Sequence, residues 1–148
     1  MEPTPALPAC PLCASHGGEL VWRSDALRVV LPEEPDYPGF TRVIWNAHEA
    51  EMTDLPETDR DALMRVVWTV ERIQRTALAP DKVNLASFGN LVAHLHWHVI
   101  PRWRDDRHFP QPVWGAPAQR DGSVVAARRA AVQAALPAYR AALVAALG

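Results

Sequence analysis

The sequence predicts an α+β fold: an antiparallel sheet of about five strands, one long helix packed on it, and a C-terminal helix. Three observations predict it. Short runs rich in Val, Ile, Leu and Trp stand between turn residues, as strands do. The stretch from Pro56 to Leu78 repeats apolar residues at helical spacing. The segment His94–Ile100 sets three of the chain's six histidines at alternate positions. Alternation puts three imidazoles on one face of a strand and Leu95, Trp97 and Val99 on the other.

A chain of 148 residues without internal repeats is expected to form one domain with a real core. A formal charge of −2 argues against general nucleic-acid binding, which needs a basic face. No apolar run is expected to reach the length of a membrane span. Met1–Pro5 lacks the basic start and apolar core of a signal peptide, so a cytoplasmic protein is expected. Two cysteines close together make a poor disulfide framework.

Residues 1–9 carry three prolines and are expected to form a flexible tail. Cys10-Pro11-Leu12-Cys13 follows, a spacing that suits two thiolates on one tetrahedral zinc. A redox role would place this motif in a βαβ unit, whereas a proline-rich tail precedes it here. Two cysteines are half a site, and the candidates for the rest are His16, His48 and one of the triplet. Glu19–Trp22 and Ala26–Leu31, separated by Ser24-Asp25, predict a hairpin. Pro32–Gly39 is a loop with sharp turns, and its acids form a solvated face or reach a sugar hydroxyl. Phe40–Trp45 is a third strand, which His48 follows. Pro56 suits a first helical turn, and Glu57, Asp59 and Asp61 complement the positive helix end. Leu63, Val66, Val67, Val70, Ile73 and Leu78 form one apolar stripe, and Ala79-Pro80-Asp81 stops the helix. Lys82–Ser87 is a strand that turns Asn84 away from Val83 and Leu85. Phe88-Gly89-Asn90 is a turn whose backbone N–H groups suit phosphate oxygens. Pro110–Gly115 is extended; Trp114 offers a ring to stack on a base or to pack on the body of the fold, and with five other tryptophans in the chain packing is expected. Val124–Leu147 is an alanine-rich helix in which Pro137 is expected to cause a kink or a split.

The triplet invites two chemistries. Three imidazoles and a water would make a hydrolytic zinc centre. Yet the outer two rings of such a strand lie about 13 Å apart at ~3.3 Å per residue, too far to share one ion with bonds of roughly 2 Å. The alternative is imidazole as nucleophile toward phosphorus. One ring nitrogen attacks while the other donates its proton to a fixed acceptor.

His94-Leu95-His96-Trp97-His98-Val99-Ile100 resembles the signature of the histidine-triad (HIT) superfamily. The likeness runs from about Cys10 to Pro101 and takes in Pro38-Gly39, the long helix, Asn84 and Gly89-Asn90. It implies a HIT-like domain over residues 10–115, with 116–148 a C-terminal helical extension. It further implies a nucleotide hydrolase or nucleotidyl transferase acting on an anhydride, ester or phosphoramidate of a nucleoside phosphate. Such proteins are usually homodimers with sheets joined across the interface. By that resemblance His96 forms a covalent nucleotidyl-histidine and His98 serves the phosphate and leaving group. Asn84, Gly89 and Asn90, with His98, border the substrate. Zinc-binding branches of the superfamily imply a structural Zn2+ on Cys10, Cys13, His48 and His94, with His16 the competitor for His48 and no organic cofactor. The chain departs from the pattern at Phe40, where many relatives carry histidine, and at Trp97, which is bulkier than usual. Glu33 is the nearest candidate for the acid that grips ribose in relatives. A nucleotide-binding module with weak or no catalysis is the alternative to an enzyme.

Overall fold

The computed structural model describes residues 9–148, so all of the expected tail but Ala9 lies outside the described residues. Five strands form: β1 (Glu19–Arg23), β2 (Leu27–Leu31), β3 (Thr41–Trp45), β4 (Lys82–Ala86) and β5 (His96–Arg102). All pair antiparallel, in the order β1-β2-β3-β5-β4. The helices are α1, a single turn over Pro11–Ala14, then α2 (Glu57–Ala77) and α3 (Gly122–Leu147). The architecture is the expected α+β arrangement.

Alternation along the strands sends one set of side chains to each face. Leu27, Val29, Val43, Trp45, Val83 and Val99 pack with Leu63, Val67 and Val70 of α2 and with Val132, Tyr139 and Leu143 of α3. Both long helices therefore cover one face, and α3 is part of the same core. Gln74 secures α2 to the sheet, its Nε2 donating to the Val99 carbonyl at 2.8 Å. Thr41 Oγ1 and Tyr139 Oη lie 2.7 Å apart and join α3 to β3. Gly39 permits this closeness, because a Cβ there would stand 2.9 Å from Leu78 Cδ1 and 3.0 Å from Pro101 Cγ.

Three expectations need correction. The histidine strand starts at His96, not His94, because the Leu95 N–H donates to Glu49 O (2.7 Å) rather than to a strand partner. It runs on through Pro101, which lies beyond the last residue paired with β3, so its missing N–H costs that ladder nothing. Pro137 does not split the C-terminal helix. Pro137 and Gln133 are both exposed, so the carbonyl that proline leaves without a donor meets water. By length and composition α3 is also apolar enough to cross a membrane, with a mean hydropathy of 1.4 over 18 residues, contrary to expectation. Alanine supplies much of that hydropathy, while Tyr139 and Leu143, both 0% exposed, anchor α3 in the core.

Two substitutions in α3 should act in opposite directions. Leu143→Ala should destabilise by roughly 2–5 kcal/mol through the cavity it leaves. Pro137→Ala should stabilise by about 1–3 kcal/mol through the restored helix hydrogen bond. Urea denaturation followed by circular dichroism measures both.

Candidate functional site

The face turned away from the helices is polar along its centre. Arg42 opposes His98 and Ile44 opposes His96 across the β3–β5 ladder. Two small apolar clusters cover its ends. One is Cys10, Leu12, Val30 and Ile44; the other is Tyr37, Phe40 and Ile100. Between them a hollow of about 400 Å³ stays open, lined by Arg42, His96, His98, Trp114 and the loop from Phe88 to Val92.

His96 and His98 are buried, with ring centroids 4.8 Å apart. His96 Nδ1 lies 2.6 Å from the His94 carbonyl oxygen. A carbonyl only accepts, so Nδ1 carries the proton and Nε2 keeps its lone pair. Ser87 Oγ, donating to the His96 carbonyl at 2.7 Å, holds the same residue from the β4 side. Burial depresses the pKa of His96, the bond to His94 opposes that, and the charge of Arg42 adds to the depression. His98 is pushed down to about 3, first by burial and then by His96 and Arg42. Both rings are neutral at pH 7. Such an arrangement suits nucleophilic attack by one imidazole and hydrogen bonding by its neighbour.

The same residue that orients His96 belongs to a second group. Cys10 Sγ, Cys13 Sγ, a nitrogen of His48 and a nitrogen of His94 all lie within 4.8 Å of one another. The His94 Nδ1 atom is 3.4 Å from Cys10 Sγ and 3.5 Å from Cys13 Sγ, and His48 Nδ1 is 3.4 Å from Cys13 Sγ. A tetrahedral ion with bonds of about 2.3 Å to sulfur and 2.0 Å to nitrogen sets these atoms about 3.5 Å apart. His94 Nε2 donates to the Trp45 carbonyl at 2.6 Å, which leaves Nδ1 as the lone-pair nitrogen facing the sulfurs. The donor set therefore fits a tetrahedral metal. Arg28 positions the cysteine turn. Its guanidinium donates to the carbonyls of Leu12 (2.6 Å), Ser15 (3.2 Å) and His16 (2.9 Å) and to Asn46 Oδ1 (3.0 Å). His16 has only its carbonyl in this arrangement; its side chain is outside the cluster, and His48 is inside it.

Gly89 and Asn90 line the hollow, and Gly89 takes a left-handed φ of 76° that suits a glycine. Asn84 is placed elsewhere. It opposes Ile100, its Oδ1 accepts from Arg102 Nη1 at 2.9 Å, and it borders the adjoining hollow with Lys82 and Leu85. Glu33 lies in a separate hollow beside Gly18 and Arg140. Phe40 stands edge-on to His98 at 5.4 Å.

Arg42 was missed from sequence, and Trp114 was read chiefly as a packing residue. Arg42 was hidden because its neighbour across the sheet is set by pairing and not by spacing. Trp114 packs, as expected, but against the site: its ring is 5.1 Å from His98 and 5.2 Å from Phe88, and it stays 53% exposed. The loop that carries it is tied by the buried Arg102–Asp106 ion pair (2.8 Å) and by Arg102 Nη2 donating to Gln111 O at 2.7 Å. Burial alone would raise the pKa of Asp106. Hydrogen bonds from Arg102 and from the backbone N–H groups of Phe109, Trp103 and His108 outweigh it and keep the carboxylate ionised.

Residues 16–105 match the family model described as the HIT domain. The chain is 28% identical over 112 residues to an AP-4-A phosphorylase of Mycobacterium tuberculosis, a match covering 72% of this chain and 57% of the relative. It thus spans somewhat over half the length of that curated relative. Among solved structures it is similar to a histidine triad protein from Bradyrhizobium japonicum, at 28% identity and a TM-score of 0.63, covering 80% of this chain and 90% of the other. A Zn-bound histidine triad family protein from Mycobacterium smegmatis shares the fold at 23% identity and a TM-score of 0.56, covering 88% of this chain and 97% of the other.

The buried, neutral His98 predicts acid sensitivity. Its folded pKa lies below its unfolded value, so the unfolded chain takes up the proton first. Stability should fall as pH drops below about 6.5, by up to roughly 1.4 kcal/mol per pH unit for each such proton. Urea midpoints of the metal-free chain between pH 7 and 5 should show a steeper slope than those of His98→Asn.

Proposed function

The chain belongs to the HIT domain family, and from that premise we propose that it is a nucleotide hydrolase or nucleotidyl transferase that works through a covalent nucleotidyl-His96. The observation that supports this most is the His96 Nδ1–H bond to the His94 carbonyl: it leaves the Nε2 lone pair of His96, which lines the hollow, for attack on phosphorus. Nε2 attacks phosphorus, the bond from phosphorus to the leaving group breaks, and that group leaves with the electron pair and takes up a proton. The positive charge this places on the His96 ring is stabilised through Nδ1–H by the His94 carbonyl. Water, or another acceptor, then attacks the same phosphorus and releases a proton to solvent, while the P–N bond breaks and its electron pair returns to Nε2, which restores the neutral His96 ring. His98 hydrogen-bonds the phosphoryl group or the leaving group. Backbone N–H groups at Gly89 and Asn90 meet phosphate oxygens, and Asn84 flanks the substrate from the neighbouring hollow. Dinucleoside polyphosphates and nucleoside phosphoramidates are the substrate classes. The printed name of the M. tuberculosis relative supports the first of them.

Cys10, Cys13, His48 and His94 hold a structural zinc in this proposal, and no organic cofactor takes part. Zinc at His94 stiffens the chain immediately before His96 and stays out of the reaction. The assembly is a homodimer with sheets joined across the interface, for which β1 and β4 are the two available edges.

His96→Ala should lower turnover of a diadenosine polyphosphate or an adenylyl phosphoramidate by at least about 10³-fold. The unaltered chain should give a nucleotidyl adduct by mass spectrometry after acid quench. Absence of both adduct and turnover across a substrate panel would leave only a binding module. Elemental analysis should find one zinc per chain, retained in His96→Ala and lost in Cys13→Ala. Loss of zinc with His96→Ala would sink the structural assignment.

A further inference from the structure

Among the described residues, Arg42 is the only formally charged one lining the His96/His98 hollow. It is half-buried, and its Nε is buried without a hydrogen-bond partner among the described residues. Nη1 makes one long bond, 3.3 Å to the Gly17 carbonyl. No carboxylate among the described residues forms an ion pair with it. Glu34 supplies an opposing charge only at longer range. The two other buried arginines of this face contrast with it: Arg28 makes four hydrogen bonds, and Arg102 is paired with Asp106. A guanidinium removed from water without a countercharge is costly, and an arriving anion relieves that cost. Arg42 lies directly across the ladder from His98, next to the two imidazoles. Its forked donors suit the paired oxygens of a phosphate.

We propose that Arg42 is an anion-binding residue of this hollow, whose guanidinium takes non-bridging oxygens of a phosphate chain beside the phosphoryl group that His96 attacks. This rests on the reading of the hollow as a nucleotide site. It goes further by assigning the permanent positive charge of the site to β3, outside the histidine strand and its loop.

The test is pyrophosphate binding to the zinc-loaded full chain by isothermal titration calorimetry. Arg42→Gln, similar in length and neutral, should weaken binding at least about 10-fold, and Arg42→Lys, which keeps the charge and loses the fork, should recover only part of it. Thermal melts check that each variant folds, and Arg42→Met replaces the Gln variant if that one does not. Affinity in the neutral variant within twofold of the parent overturns the inference, as does a parent that binds no pyrophosphate at millimolar concentration. Turnover by the parent is scored separately. Binding that depends on Arg42 without any turnover would overturn the enzymatic reading and leave the anion site standing. Turnover with pyrophosphate binding indifferent to Arg42 would overturn the anion site alone.

Discussion

His94 is the residue on which both halves of the site depend. Its Nε2–H is spent on the Trp45 carbonyl, so its Nδ1 faces two thiols. Its backbone carbonyl accepts from His96 and so sets the tautomer of the next imidazole. Three polar atoms of one buried residue thus orient a metal-ligand cluster and a nucleophile candidate. A shift of the cluster is felt at His96, because only Leu95 stands between His94 and His96. The short distance also explains why the histidine strand begins late. The Leu95 carbonyl still accepts from Trp45 of β3, but its N–H donates to Glu49, which holds the residue before the strand outside the ladder.

The polar face is held by charge at its two ends. Arg28 fastens the cysteine turn to β2 through three carbonyls, and Arg102 fastens the loop of Trp114 to β5 through Asp106 and Gln111. Both guanidinia are almost fully buried, and each is satisfied by several acceptors. The middle of the face is different. There Arg42 and two neutral imidazoles border open space, and among the described residues no carboxylate forms an ion pair with Arg42. A face that satisfies its cations at the ends and leaves one short of partners in the centre suits an anionic ligand.

Much of this was legible from residue order. Alternating Val, Ile and His positions located the strands, and the stripe from Leu63 to Leu78 located α2. The CxxC with a histidine after the third strand anticipated the group that the fold assembles, through resemblance to a known family. Other features were not legible. The partner of Asn84 was one of them: Arg102, eighteen positions on, donates to its side-chain oxygen. Pro137 suggested a broken helix, but whether a missing hydrogen bond matters depends on which side of the helix meets water. Trp114 read as packing, and only the path of its loop shows that it packs on His98.

The sequence by itself determined the elements, their order and the residue types able to do chemistry, because periodicity and turn preference are properties of neighbouring residues. Tertiary structure decided which of those residues meet. Cys10 reaches His94 across 84 positions, and Arg42 reaches His98 through the register of β3 on β5. A one-residue slip in that register would turn every side chain of the strand to the opposite face. Such contacts are fixed by the joint burial of both sheet faces, and no local stretch of chain contains that information.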